Sequence, residues 1–240
     1  MTLGFGVLTR LLRSGFDGPL EVRAALGHGR SYGSWSTVAV RSLPGIVDCG
    51  LWQSLNESEK LPTFALLTDV GNDLMYGYPP ETIASWVETS LDRLAAVDAR
   101  IIVTRLPLAR VERLAAWHYH VTRLSLFPFH RAFSWQEMLR RARELDSLVA
   151  QAASGHHAAI VTPPPEWYGL DPIHIRRRHR PAAWADVLSN WPDFQAPVGP
   201  LSAAGLPLLG RFPERLRLFG RERTTPQPVV SRSDVTLSLY

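Results

Sequence analysis

The feature that most constrains the fold is an alternation of short apolar runs with longer stretches of helical periodicity. The short runs predict strands at residues 20–26, 63–73, 99–108 and 157–164. The longer stretches predict helices at residues 3–14, 79–97, 111–124, 135–153 and 182–191. Strands that alternate with helices of ten or more residues indicate a parallel sheet covered by helices. The expected fold class is therefore α/β.

The length of the chain favours one main domain. With 240 residues, 45% of them hydrophobic, the chain is long enough for one sizeable core. Residues 1–191 hold all the predicted strands and helices and are assigned to this domain. From residue 192 onward the sequence becomes rich in proline, glycine and arginine. We therefore expect residues 192–240 to form a partly irregular C-terminal extension that packs on the domain.

Charge and cysteine content limit the partners. The formal net charge is +4, but the basic residues are scattered arginines with a single lysine, Lys60, a pattern that disfavours a dedicated nucleic-acid binder. A single cysteine, Cys49, excludes an intramolecular disulfide framework and a zinc site built on cysteines. No apolar run reaches the roughly 18 residues of a membrane span, and no secretory signal is recognisable. These features predict a cytoplasmic protein.

Three polar clusters follow predicted strands: residues 27–33, residues 70–73 and residues 171–174. Because the carboxyl ends of parallel strands share one edge of a sheet, we expect these clusters to lie close together. Asp171 precedes His174 by three residues, so its carboxylate can accept from the ring Nδ1–H and leave Nε2 free to take a proton. The amide of Asn72 and the backbone N–H of Gly29 can stabilise an oxyanion. This set of groups indicates acyl transfer with a serine still to be placed.

The glycine loop "GHGRSYG", the segment "DVGNDLMYG" and the segment "DPIH" resemble, in this order, blocks II, III and V of the SGNH (GDSL) hydrolases. The resemblance implies a flavodoxin-like three-layer α/β/α sandwich and hydrolysis of an ester, thioester or acetyl group through a serine acyl-enzyme. It assigns the general base to His174, its orienting carboxylate to Asp171, and the oxyanion hole to Asn72 and Gly29. It implies a small-molecule or carbohydrate ester as substrate and requires no metal or organic cofactor.

The nucleophile is the point at which the chain departs from this family, because block I, Gly-Asp-Ser, is absent. In one account the chain begins just past block I, the nucleophile lies upstream of Met1, and "GHGRSYG" is block II. In the other, Ser31 belongs to a divergent block I and Gly50 is the block II glycine. Ser31 is the best nucleophile among the residues present. The missing block also leaves an alternative function, a non-catalytic SGNH-like binding module or an inactive truncated homologue.

Overall fold

The computed structural model describes residues 4–126, 133–169, 171–199, 201, 205–206 and 208–240. The chain is mixed α/β and contains a parallel sheet, so the predicted class is confirmed. It divides into two compact units. Residues 31–33 and 61–176 form the first, named here the parallel-sheet unit, and residues 1–30, 34–60 and 177–240 form the second, named the two-sheet unit.

The parallel-sheet unit is built on three strands in the order β4-β5-β6. They are β4 (Phe64–Leu67), β5 (Arg100–Thr104) and β6 (Ala159–Val161), and both pairings are parallel. The central strand β5 is buried along four of its five residues, as expected for a strand covered on both faces. Since all three strands run in the same direction, the segments that follow them leave the sheet at one edge.

Five helices accompany this sheet in the described residues. They are α3 (Asn72–Tyr76), α4 (Pro80–Ala95), α5 (Leu108–Val111), α6 (Ala116–Leu126) and α7 (Trp135–Gly155). The helix predicted at residues 111–124 thus falls on the end of α5 and most of α6. No helix in the described ranges combines the length and the apolar character needed to cross a membrane.

The capping residues and apolar positions of the two long helices, α4 and α7, explain why these segments are helical. In α4, Pro80 opens the first turn, and Ile83, Val87 and Leu91 are fully buried at intervals of four residues. In α7, the Ser134 side chain caps the helix by accepting from the backbone N–H of Glu137 at 3.1 Å. These two helices pack against each other through their apolar faces.

A buried carboxylate on α7 fixes the segment that leaves β5. Asp146 is 2% exposed and accepts from the Nε of Arg105 at 3.0 Å and from the backbone N–H of Leu106 at 2.9 Å. Both oxygens of Asp146 are used, so the charge is compensated within the fold. The start of the β5–α5 loop is therefore held against α7 at the carboxyl edge of the sheet.

The two-sheet unit contains the helices α1 (Phe5–Gly15), α2 (Leu51–Asn56) and α8 (Arg180–Leu188). Its first sheet has the order β1-β10-β9, with β1 (Leu20–Ala24) parallel to β10 (Val235–Leu239) and β9 (Val230–Ser231) antiparallel to β10. Its second sheet has the order β2-β3-β7-β8 and is antiparallel throughout. These four strands are β2 (Ser36–Val38), β3 (Arg41–Leu43), β7 (Arg215–Leu218) and β8 (Arg221–Thr224).

Two features of this unit differ from the sequence expectations. The strand predicted at residues 20–26 pairs with β10, a strand that the sequence reading had not identified. The segment 192–240, expected to be partly irregular, contains four strands from residue 215 onward. Arg215 to Leu218 alternates charged and apolar residues, and Phe219 and Gly220 both have positive φ, at 49° and 77°, as a two-residue hairpin turn requires. The proline and glycine content had hidden this local strand pattern.

Candidate functional site

The Asp171-to-His174 segment lies in the loop that leaves the carboxyl end of β6. A backbone bridge between Tyr168 and Ile175 joins the two sides of this loop. At its closed end, the backbone N–H of Gly169 donates to the carbonyl of Asp171 at 3.2 Å. The described residues on the two sides of this loop are therefore joined, and Asp171 and His174 lie between them.

Asp171 and His174 are in direct contact. The Nδ1 atom of His174 lies 2.6 Å from Oδ2 of Asp171. The other oxygen, Oδ1, accepts from the backbone N–H of Ile173 at 3.1 Å and of His174 at 3.2 Å. The His174 side chain is 31% exposed, so its ring is partly sheltered and still open to a ligand. This arrangement fixes the ring orientation and directs the proton on Nδ1 toward the carboxylate.

The surroundings of Asp171 favour its charged form. Partial burial raises the pKa of this carboxyl, but the hydrogen bond and charge of His174 and the two backbone N–H groups outweigh burial and lower the pKa below its usual range. Asp171 is therefore an anion at neutral pH. A carboxylate in this state stabilises the imidazolium that forms when Nε2 takes up a proton.

Asn72 lies after β4, the strand on the far side of β5 from β6, where it is the first residue of α3 and is half-buried. The hydroxyl of Thr104, at the end of β5, donates to the hydroxyl of Thr68 at 2.8 Å and so ties the ends of the two strands together. Leu106, in the segment after β5, lies close to Gly71. The residue predicted to donate to an oxyanion is thus placed at the same sheet edge that gives rise to the Asp171 loop.

Ser31 is held by a residue that the sequence reading did not single out, Asp73. The Ser31 hydroxyl donates to Oδ1 of Asp73, and the backbone N–H of Tyr32 donates to Oδ2 at 2.8 Å. The Ser31 oxygen in turn accepts from the backbone N–H of Gly33 at 3.2 Å. Ser31 and Asp73 are both 0% exposed. The proton of the Ser31 hydroxyl therefore points to the Asp73 carboxylate, and the hydroxyl oxygen of Ser31 is shielded from solvent.

The side chain of Tyr32 bonds to the loop that follows β4. The Tyr32 hydroxyl donates to the carbonyl of Thr68 at 2.9 Å, which seats residues 31–33 on the β4–α3 loop. Burial raises the pKa of Tyr32 and of Tyr168, and the nearby charge of Asp69 raises both further. Asp69 therefore lies within electrostatic range of both hydroxyls. The segment 31–33 and the β4–α3 loop are in direct contact within the parallel-sheet unit.

The predicted site residues are distributed as follows. Asp171 and His174 form a hydrogen-bonded pair after β6, and Asn72 lies in the same unit after β4, with β5 between these two strands. Ser31 donates a hydrogen bond to Asp73. The two residues are 42 positions apart in the sequence, so no local sequence pattern indicates this contact. Gly29 belongs to the two-sheet unit, where its φ of 61° is left-handed. The backbone at Gly33 packs closely against the Trp86 ring, and a Cβ at this position would lie 1.9 Å from the ring. This close packing requires glycine.

The buried carboxyl of Asp73 predicts a pH-dependent stability. Burial raises its pKa from 3.8 to about 6, against the lowering effect of the bonds from Ser31 and Tyr32. The pKa of Asp73 is higher in the folded than in the unfolded protein. Its contribution to the free energy of unfolding is therefore fully present below pH 3.8 and is lost as the pH rises through about 6. Asp73→Asn removes this titration and keeps a hydrogen-bonding side chain. Relative to this variant, the wild-type free energy of unfolding should fall by about 3 kcal/mol over that range.

Denaturant unfolding of both proteins at a series of pH values measures this difference. Asp98→Asn is the matched control, because Asp98 is exposed. The control should follow the wild-type curve. Parallel curves for wild type and Asp73→Asn would show that the Asp73 carboxyl does not titrate as its burial requires.

The sequence was also compared with known proteins. It matches no protein-family model and no curated protein sequence. The functional argument for this chain consequently depends on the geometry of its own residues.

Proposed function

We propose that the chain is a serine-type acyl-ester hydrolase with a flavodoxin-like, three-layer α/β/α arrangement of the SGNH type. The observation that carries this proposal is the contact of 2.6 Å between Nδ1 of His174 and the anionic carboxylate of Asp171 on an exposed loop. A histidine oriented in this way has one function that a structural histidine lacks, which is to move a proton at Nε2. The parallel order of β4, β5 and β6 supports it, and Asn72 follows β4 in the same unit.

The reaction then proceeds by two acyl transfers. The nucleophilic hydroxyl attacks the carbonyl carbon of the ester, its proton passes to Nε2 of His174, and the carbonyl oxygen becomes an oxyanion. The amide of Asn72 donates to that oxyanion. Collapse expels the alkoxide, which takes the proton from Nε2. Water repeats the sequence on the acyl-enzyme, releases the acid and restores the free hydroxyl.

The position of the nucleophile separates the two accounts left open by the sequence. Ser31 is buried and donates its proton to Asp73, which supports a positioning role at block II. In that account Ser31 is not the attacking serine. In the other account, Ser31 must leave Asp73 before it can attack. The substrate class is a small-molecule or carbohydrate ester in either case.

Labelling with a fluorophosphonate probe tests the proposal. The probe phosphonylates a serine only where a base and an oxyanion site activate it. We expect one adduct per chain by intact-mass spectrometry, and peptide mapping identifies the serine that carries it. An adduct on Ser31 supports the account in which Ser31 attacks, and an adduct on another serine supports its positioning role. The experiment uses the 240-residue chain. Heat-unfolded protein is the control and should remain unlabelled.

The second candidate function is a non-catalytic binding module. The burial of Ser31 favours this candidate, because a shielded hydroxyl that donates to Asp73 is not placed to attack a substrate. The labelling experiment distinguishes the two. Absence of an adduct in the folded protein would reject the hydrolase and support the binding module.

A further inference from the structure

A pocket in the two-sheet unit lies on one face of the β2–β3 hairpin. The register pairs Ser36 with Leu43 and Val38 with Arg41. Because side chains alternate between the two faces of a strand, these four share one face. Together with His28, from the glycine loop, they line a pocket of about 80 Å³. This volume is several times the roughly 10–15 Å³ that one water molecule requires, so the pocket has room for a small ion.

Arg41 gives this pocket a positive charge. Its side chain is partly buried, and burial lowers its pKa. Among the described residues, no hydrogen bond or ion pair is formed by its guanidinium. The pocket lining contains no aspartate or glutamate. A partly desolvated cation is normally paired with an anion. Because the pocket lining holds no acidic side chain, the charge of Arg41 is not compensated within the pocket.

A second guanidinium, that of Arg30, lies within electrostatic range of Arg41. Arg30 is 3% exposed and donates through Nε to the carbonyl of Pro44 at 3.0 Å, directly after β3. Burial lowers the pKa of Arg30, and the nearby charge of Arg41 lowers it further. Glu214 contributes a negative charge close to Cys49, but it does not line the pocket. Two like charges are therefore held close together at the edge of the β2–β3 hairpin.

We propose that this pocket binds a small tetrahedral oxyanion of the phosphate class, either free phosphate or a phosphate monoester, with the Arg41 guanidinium as its principal contact. A guanidinium presents paired N–H donors that match phosphate oxygens, and a bound dianion relieves the repulsion between Arg41 and Arg30. The buried hydroxyl of Ser36 and the exposed ring of His28 place further polar groups around the ion. This inference goes beyond the proposed hydrolase and does not depend on it.

Isothermal titration of the full chain with inorganic phosphate, and separately with a hexose monophosphate, tests the proposal at constant ionic strength. We expect saturable binding of one ion per chain and a loss of at least about tenfold in affinity for Arg41→Ala. Arg41→Lys keeps the charge but loses the paired donors, so its affinity should lie between those of wild type and Arg41→Ala. Tighter binding of the monophosphate would identify the monoester as the form recognised.

The matched control is Arg232→Ala, which removes an exposed arginine of the same unit outside this sheet. It should bind phosphate as wild type does. Thermal unfolding gives a second measurement, because phosphate should raise the Tm of wild type and of Arg232→Ala but not of Arg41→Ala. Absence of saturable binding by wild type, or equal affinity for wild type and Arg41→Ala, would overturn the proposal. Neither result bears on ester hydrolysis.

Discussion

Replacing His174 with alanine is expected to lower kcat for p-nitrophenyl acetate by about 10³–10⁴-fold. The variant removes the imidazole that the proposed mechanism assigns as the acceptor of the nucleophile's proton. Asp171→Asn keeps the size of the side chain but removes the charge that stabilises the imidazolium, so it should also lose most of the activity. Steady-state kinetics of the purified, folded proteins measure both losses.

His156 provides a matched control for this prediction. It is a second histidine of the parallel-sheet unit that contacts a carboxylate, with its Nε2 2.8 Å from Asp92. Its Nδ1 atom lies 2.8 Å from the carbonyl of Ala152 at the end of α7. Both ring nitrogens are thereby engaged in a structural contact, so His156→Ala should keep wild-type kcat. If His174→Ala turned over ester as fast as His156→Ala, the base would have been assigned to the wrong residue.

Replacing Asn72 with alanine should lower kcat by about 10²–10³-fold while changing KM little. The reason is that an oxyanion donor acts on a charge that is present only in the transition state. Asn72→Asp is the more specific test. It keeps the shape of the side chain and is suited to the first turn of α3. It replaces the amide donor with a carboxylate acceptor. Both variants should therefore be similarly impaired.

Asn56→Ala is the control for the Asn72 variants, since Asn56 is exposed and ends α2 in the other unit. Thermal unfolding of the same proteins separates catalytic loss from misfolding. An Asn72→Asp protein with wild-type stability and wild-type kcat would remove Asn72 from the oxyanion hole.

The elements that the sequence predicted best have strong internal periodicity. The helix predicted at residues 79–97 is observed at Pro80–Ala95, and the one predicted at 135–153 is observed at Trp135–Gly155. Their apolar faces repeat over four or more turns, so each boundary is supported by many residues. The Asp171–His174 contact was also predictable, because it joins residues three positions apart within one loop.

The features that the sequence did not indicate are formed by contacts between distant segments of the chain. The partner of β1 is β10, more than 200 positions later in the chain, and nothing in residues 20–26 specifies it. The bond between Ser31 and Asp73 is likewise a product of tertiary packing, although a serine flanked by glycines resembles a nucleophile in isolation. The Arg41 pocket arises from the register of a hairpin whose strands are only three residues long.

The central claim is that Asn72 and His174 act on the same carbonyl carbon. A crystal structure of the protein after reaction with a phosphonate inhibitor tests it most directly. The claim predicts one phosphonyl oxygen within about 3 Å of the Asn72 amide nitrogen and Nε2 of His174 within hydrogen-bonding distance of the same phosphonyl group. A phosphonyl group bound elsewhere, or an Asn72 side chain and a His174 ring that face different surfaces, would contradict it.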